Sequence, residues 1–149
     1  MKKHLFTLIL FYSTLSFIKA QEIVYPAIQG YGGINVIPFE TLKPDPTQNY
    51  KFVIEISNSI SDKKEVSEDL DYAARMYNAH IYAGVPKENI EFVFVVFSGS
   101  TPIVLSNDEY KKRFNVDNPN AELLEEFKKN GIRFIVCGQS MMKQKLVPS

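Results

Sequence analysis

Three short apolar runs predict the strands of a buried sheet. They are residues 50–57, 90–97 and 132–136, and β-branched and aromatic residues dominate each of them. The second run is almost continuously apolar and does not alternate. Both of its faces are therefore expected to be buried, as in a parallel sheet covered by helices.

The segment between the first two runs has the pattern of an amphipathic helix. It begins at Ser67, and Gly84 stands just past its end, where a C-terminal glycine belongs. Its apolar residues recur at helical spacing and make one inner face. They are Leu70, Ala73, Ala74, Tyr77 and Ile81.

Two capping signals predict helices between the second and third runs. Ser106 and Glu109 form a capping box for a short helix that extends to about Phe114. Asn118, followed by a proline, is expected to be the N-cap of a further helix. Gly131 is expected to end that helix.

The predicted order is strand, helix, strand, helix, helix, strand, helix. A length of 149 residues fits one domain, and the alternation predicts an α/β domain over residues 50–149 with a mainly parallel sheet and helices on both sides. Ligands of such sheets bind beyond the carboxyl ends of the strands. Residues 98–101 and 137–140 occupy that position, and a last helix is expected to start in the second segment.

The first 49 residues differ in composition from the rest. Residues 1–20 have a basic start, an apolar run of about 13 residues and the small residue Ala20 at the end, which is the layout of a secretory signal peptide. A membrane anchor is the alternative, but the run is shorter than the roughly 20 residues that span a bilayer. Residues 21–49 are rich in proline and glycine and predict an extended arm laid over the domain.

A signal peptide at residues 1–20 would direct export to the periplasm or the extracellular space and would then be removed. That segment contains three lysines and no acid, so 14 of 17 basic residues remain beside 17 acidic ones, and the net charge becomes −3. A mildly acidic domain without a basic stripe is a poor candidate for binding nucleic acid. No later segment is long and apolar enough to span a membrane, so no membrane contact is expected after signal removal.

Cys137 is the single cysteine of the chain and directly follows the third apolar run. Free backbone N–H groups at a helix start would stabilise its thiolate, which is the form that attacks sulfur. Gly138 would let the backbone approach a ligand closely. A lone cysteine at the end of a strand can equally be a small buried apolar residue, and position alone does not decide between the two.

The other candidates give weaker signals. His80 is the only histidine of residues 21–149 and could act as a base near the thiol, but a lone histidine at the edge of an amphipathic helix is more often a packing residue. Ser98 and Ser100, on either side of Gly99, could donate hydrogen bonds to an anion. The chain has neither Cys-x-x-Cys nor a cluster of His, Cys and carboxylates, so no metal site is expected.

Several short elements match one known pattern in order. The most specific is Val136-Cys137-Gly138-Gln139-Ser140, and the others lie at residues 78–80, 84–85, 95–99, 107–110, 118–120, 123–124 and 131–132. Together they resemble the exported branch of the DsrE/DsrF-like family of sulfur-relay proteins over about residues 50–146. The resemblance implies a three-layer α/β/α fold with a mainly parallel central sheet, and homo-oligomers. It also implies that Cys137, by its position in the motif, is the residue that would carry sulfur as a persulfide.

The chain departs from the family pattern in two places. The pattern commonly has a histidine where this chain has Ser98. Family members usually continue past the Cys-Gly-Gln-Ser helix into another strand and a final helix, whereas this sequence ends at Ser149. A C-terminally truncated domain is therefore expected, which would expose apolar surface on the sheet.

Three functional hypotheses follow. The first is a sulfur carrier or transferase-like protein that exchanges sulfur with a partner protein or a small sulfur species through Cys137, without metal or organic cofactor. The second is a non-catalytic ligand-binding or oligomeric interaction domain in which Cys137 is buried and inert. The third is a truncated fragment without activity. The candidate binding residues of the first hypothesis are His80, Ser98, Gly99, Gly138, Gln139 and Ser140.

Overall fold

The computed structural model describes residues 22–39 and 41–146, so the signal peptide predicted for residues 1–20 lies outside the described residues. Two short strands lie in the N-terminal arm, β1 (Ile23–Val24) and β2 (Ile34–Asn35). Strands and helices then alternate: β3 (Tyr50–Ile56), α1 (Glu68–Tyr82), β4 (Ile90–Val96), α2 (Asn107–Phe114), α3 (Ala121–Lys129), β5 (Arg133–Val136) and α4 (Gly138–Lys143). Short 3₁₀ segments, Lys87–Asn89 and Ser98–Val104, precede and follow β4.

The three long strands form a parallel sheet in the order β3-β4-β5. Tyr50 pairs with Ile90 at one end of the first pair, and Val96 pairs with Val136 near the end of the second. Each connection between neighbouring strands contains at least one helix, as connections between parallel strands usually do. The predicted α/β fold with a parallel sheet flanked by helices is thus confirmed.

The core lies between one face of the sheet and helices α1 and α3. Side chains alternate across a strand, and on this face they include Phe52, Phe92, Phe94 and Phe134. Phe94 meets Phe127 of α3 edge to face, with ring centroids 4.9 Å apart. The aromatic rings therefore join the sheet to the helices in one continuous core.

The opposite face of the sheet is more open than the sequence indicates. Val53 is 75% exposed and Ile135 is 53% exposed, while Glu91, Val93 and Val95 of β4 are only half-buried. The prediction that both faces of β4 are buried is therefore wrong for the described residues. The strand order explains the difference, because two crossovers that step in the same direction across the sheet put α1 and α3 on the same face.

Several helix boundaries lie where the sequence predicts them. Helix α1 begins directly after Ser67, and Gly84 follows it with a φ of +94°. The Ser106 hydroxyl accepts the Glu109 N–H at 3.3 Å at the start of α2. Gly131, with a φ of +76°, ends α3. These residues act locally, so the sequence pattern is enough to place them.

The start of α3 is an exception. Asn120 is its N-cap and Ala121 its first residue, two positions later than predicted. The Oδ1 of Asn118 still accepts the Asn120 N–H at 3.0 Å, while its Nδ2 donates to the carbonyl oxygens of Ile103 and Leu105 at 2.8 and 2.7 Å. Asn118 therefore keeps a local capping bond in the turn that precedes α3, and its amide nitrogen bonds to a segment distant in sequence.

The N-terminal arm is fastened to α1 by a buried asparagine. The Oδ1 of Asn78 accepts the backbone N–H groups of Ala27 and Ile28 at 3.0 and 2.8 Å. Its Nδ2 donates to the carbonyl oxygens of Tyr31 and Gly32, both at 3.0 Å. The arm is therefore hydrogen-bonded to α1, and it carries little regular structure beyond the β1–β2 ladder.

Candidate functional site

The segments that follow the three parallel strands meet at one edge of the sheet. The Phe97 N–H donates to the Ile56 carbonyl at 3.1 Å, and the Cys137 N–H donates to the Val96 carbonyl at 2.9 Å. These bonds extend both ladders by one residue. They bring the start of α4 beside the turn at Ser98, so the two segments predicted at the carboxyl edge are neighbours.

Cys137 is the N-cap residue of α4 and its side chain is half-buried. The pKa of its thiol is lowered, first by the backbone N–H of Ser140 and then by the Ser140 hydroxyl, with a smaller contribution from the Gln139 N–H. Partial burial opposes this effect. The thiol makes no side-chain hydrogen bond to the first turn of α4. This setting is that of a reachable thiol and not of a fully buried apolar residue.

Ser98 lies in a left-handed backbone conformation, with a φ of 54°, which is uncommon outside glycine. Its N–H donates to the Ser140 Oγ at 2.9 Å. Its carbonyl oxygen accepts the Gln144 Nε2 at 2.5 Å and the Thr101 hydroxyl at 2.8 Å. Ser98 and Ser140 are thus in direct contact beside Cys137.

The two candidate glycines lie in different surroundings. A Cβ atom on Gly99 would lie 2.0 Å from Ser59 Oγ and 2.9 Å from Ser59 Cα, so Gly99 permits close packing of two turns. A Cβ atom on Gly138 would meet nothing within 4 Å. Gly138 therefore leaves free space beside the thiol, next to the exposed Gln139.

Ser100 is turned away from this edge. Its hydroxyl is buried and lies 2.5 Å from the Ile56 carbonyl oxygen and 2.7 Å from the Phe97 carbonyl oxygen. It links β3 to the turn after β4. The sequence analysis considered this hydroxyl as a donor to an anion, but in the structure it is hydrogen-bonded to backbone carbonyl groups.

His80 lies near the opposite end of the sheet. Its ring packs against Phe52 with centroids 5.0 Å apart, and its Nδ1 lies 2.8 Å from the Met76 carbonyl oxygen. Phe52 precedes Ile56 by four residues, about 13 Å along a strand. The structure therefore does not bring His80 to Cys137, and its contacts are those of a packing residue.

The sequence analysis did not identify Gln144, whose Nε2 donates a hydrogen bond to the Ser98 carbonyl oxygen. Gln144 follows Ser140 by four residues, so the two side chains project from the same face of α4. Arg113 in turn donates to the Gln144 carbonyl at 3.1 Å. The four-residue spacing of Ser140 and Gln144 could be seen in the sequence. Their common partner Ser98 could not, because it lies 46 residues from Gln144.

No group of three or more His, Cys, Asp or Glu residues in the described ranges is arranged to hold a metal ion. Among the helices of residues 22–39 and 41–146, none has the length and apolar character needed to cross a bilayer.

The region that contains the parallel sheet and the segments at its carboxyl edge matches a known protein family. The model of the DsrE/DsrF-like family matches residues 51–149, which is two thirds of the chain. The chain belongs to the DsrE/DsrF-like family. The matched residues include the parallel sheet apart from Tyr50, together with Ser98 and the Cys137–Ser140 segment, and membership in this family suggests a sulfur-relay role. No curated protein and no solved structure matches the chain.

Proposed function

We propose that this protein is an exported sulfur carrier that holds sulfane sulfur as a persulfide on Cys137. The observation that carries the proposal is the position of the Cys137 thiol, which is half-buried at the carboxyl edge of the sheet and whose pKa is lowered by Ser140. A lowered pKa raises the fraction of thiolate at neutral pH, and the thiolate is the nucleophile in sulfur exchange.

The transfer step balances without an external oxidant or reductant. The Cys137 thiolate attacks the outer sulfur of a donor persulfide, R–S–SH. A new S–S bond forms to Cys137 as the donor S–S bond breaks, giving Cys137–S–SH and the thiolate R–S⁻. An acceptor thiolate reverses the step when it attacks the outer sulfur and releases the Cys137 thiolate.

The surrounding backbone supports an anion at this position. The backbone N–H groups of Ser140 and Gln139 lower the pKa of the thiol. The open space above Gly138 gives the additional sulfur atom and its donor room to approach. This chemistry is covalent and uses no cofactor.

The layout of residues 1–20 supports export to the periplasm or the extracellular space. Membership in the family supports exchange of sulfur with a partner protein or a small sulfur species, and a homo-oligomeric assembly.

The proposal is tested by exposing the purified protein to an excess of a small persulfide and measuring its intact mass. The expected product is heavier by one sulfur atom, located on the peptide that contains Cys137. The Cys137→Ser variant is the control and should gain none. Alkylation of the native protein is measured in parallel, and a thiol that reacts only after denaturation would contradict the proposal.

One observation favours a second candidate function. The open face of the sheet presents Val53 and Ile135 to solvent, which is typical of a surface that another molecule covers. A non-catalytic interaction domain would use this face and leave Cys137 inert. Native thiol reactivity distinguishes the two functions.

A further inference from the structure

The open face of the sheet carries an apolar stripe that crosses all three parallel strands. Val53 lies beside Val93 in the register of β3 and β4, and Val95 lies beside Ile135 in the register of β4 and β5. Val53 and Ile135 are exposed, and the two valines of β4 are half-buried between them. The stripe therefore runs obliquely over the sheet as a surface that faces solvent in the single chain.

One flank of the apolar stripe carries surplus positive charge. The carboxylate of Glu91 pairs with Lys51 at 3.7 Å and with Arg133 at 2.5 Å. Because two cations share one carboxylate, this flank keeps one positive charge that no acidic side chain of the face neutralises.

The other flank carries a negative charge. Glu55 is exposed and lies beside Val95, on the side of the stripe away from Arg133. Within the part of the chain that the structure describes, no basic side chain lies at ion-pair distance from the Glu55 carboxylate. The face is thus neutral as a whole, with its two charges separated by the stripe.

This arrangement of charges is complementary to itself. A two-fold rotation about the long axis of the stripe lays a second copy face to face with the first, with apolar side chains against apolar side chains. The same rotation exchanges the flanks, so Glu55 of the second copy lies opposite Arg133 of the first, and symmetry forms the pair twice. A partner whose charges all had one sign would be repelled by one flank.

The distances permit this pairing. On a flat sheet with strands about 4.8 Å apart and a rise of about 3.3 Å per residue, positions 133 and 55 of the two copies lie about 4 Å apart in the plane of the interface. Packed sheets are about 10 Å apart, and an arginine and a glutamate side chain together can span that gap.

We propose that a second copy of this chain covers the open face, in a two-fold interface in which Arg133 of each copy pairs with Glu55 of the other. The inference rests on the homo-oligomeric assembly of the proposed function, and it assigns that assembly a surface and a pair of charges.

The size of the face limits the strength of this dimer. Strands of at most seven residues present roughly 300 Å² per copy, whereas stable complexes bury about 800 Å² per partner. The dimer is therefore weak: it forms as the protein concentration rises and dissociates in dilute solution.

The test is sedimentation of the purified protein over a wide range of concentrations, with a reducing agent present so that no disulfide joins two copies. The parent should show an equilibrium between monomer and dimer. Glu55→Lys and Arg133→Glu should each raise the dissociation constant at least about tenfold, because each places like charges opposite one another at two symmetric positions. Glu88→Lys is the matched control, since Glu88 is exposed on the 3₁₀ segment before β4 and away from the face. It should dimerise like the parent.

An equal mixture of the two weakened variants tests the pairing itself. In a mixed dimer the new lysine of one variant faces the new glutamate of the other, and the native Arg133 and Glu55 face each other. The mixture should therefore dimerise although neither variant does so alone. A mixture that stays monomeric would overturn the inference, as would a parent that is monomeric throughout or a dimer that neither variant weakens.

A variant at the centre of the stripe keeps the test decisive if Arg133→Glu does not fold. Val53→Lys places a charge against the apolar side chains of the second copy, so it should also raise the dissociation constant at least about tenfold. Dimers that persist unchanged in Val53→Lys and Glu55→Lys would overturn the inference.

Sulfur uptake measured in the same samples separates this inference from the proposed function. Uptake on Cys137 in a protein whose copies do not pair through this face would refute the interface and leave the carrier standing. Pairing as described without any uptake would refute the carrier and leave the interface standing.

Discussion

At the scale of single residues, the side chain that fastens the arm is Asn78, which is fully buried. Its amide satisfies backbone groups of an arm segment that forms no strand or helix of its own there. Buried backbone polar groups without partners are costly. The Asn78 side chain supplies the hydrogen bonds that a strand or helix would otherwise provide for this segment.

Replacement of Asn78 by alanine should lower the free energy of unfolding by at least about 2 kcal/mol, because several buried N–H and C=O groups lose their partner together. Asn89 is the matched control, since its Nδ2 also reaches an arm carbonyl, that of Pro46, but at the surface. Asn89→Ala should cost less than about 0.5 kcal/mol. Urea denaturation of both variants checks this, and equal losses would contradict the role given to Asn78.

At the scale of elements, the turn after β4 and the start of α4 place different demands on their glycines. Gly99 packs against the backbone of Ser59, whereas Gly138 faces open space. Both lie at the carboxyl edge, so the same substitution tests packing at one and access at the other.

Gly99→Ala should destabilise the protein by about 1–3 kcal/mol, because the new methyl group overlaps Ser59 and the turns must separate. Gly138→Ala should change stability by less than about 0.5 kcal/mol. If the sulfur donor uses the space above Gly138, this variant should also take up sulfur more slowly than the parent. Thermal unfolding and the rate of sulfur uptake give both answers, and a stable Gly99→Ala variant would contradict the packing described for this turn.

The elements also show what sequence can and cannot predict. The three apolar runs, the inner face of α1 and the cap at Ser106 depend on local patterns, and the structure confirms them. The bonds from Asn118 Nδ2 to carbonyls 13 and 15 residues earlier in the chain could not be predicted from a local pattern. The hydrogen bonds to the Ser98 backbone come from the side chains of Ser140 and Gln144, which are distant in sequence. Local spacing could therefore place Cys137 at the edge of the sheet but could not reveal its neighbours.

At the scale of the whole molecule, the sheet has one packed face and one open face. The apolar run of β4 led to the prediction that both faces of the sheet are buried. Periodicity does not encode the order of strands in a sheet, so this pattern could not show that α1 and α3 lie on the same face. Phe94 is fully buried beneath α3, whereas Val53, on the next strand and the other face, is 75% exposed. Stability should therefore depend on the two faces very unequally.

Phe94→Ala should cost about 3–5 kcal/mol, because it leaves a cavity among aromatic rings. Val53→Ala should change the free energy of unfolding by less than about 0.5 kcal/mol in dilute solution. Denaturant titrations at two protein concentrations check both values. A large, concentration-dependent loss in Val53→Ala would show instead that association between copies covers the open face.

The central claim is that Cys137 both accepts and releases sulfur in the folded protein. The most direct measurement is the intact mass of the native protein during loading with a small persulfide, removal of that donor and addition of an acceptor thiol. The account predicts that one sulfur atom appears on Cys137 and then leaves for the acceptor while the protein stays folded. A Cys137 that gains no sulfur until the protein is denatured would contradict it.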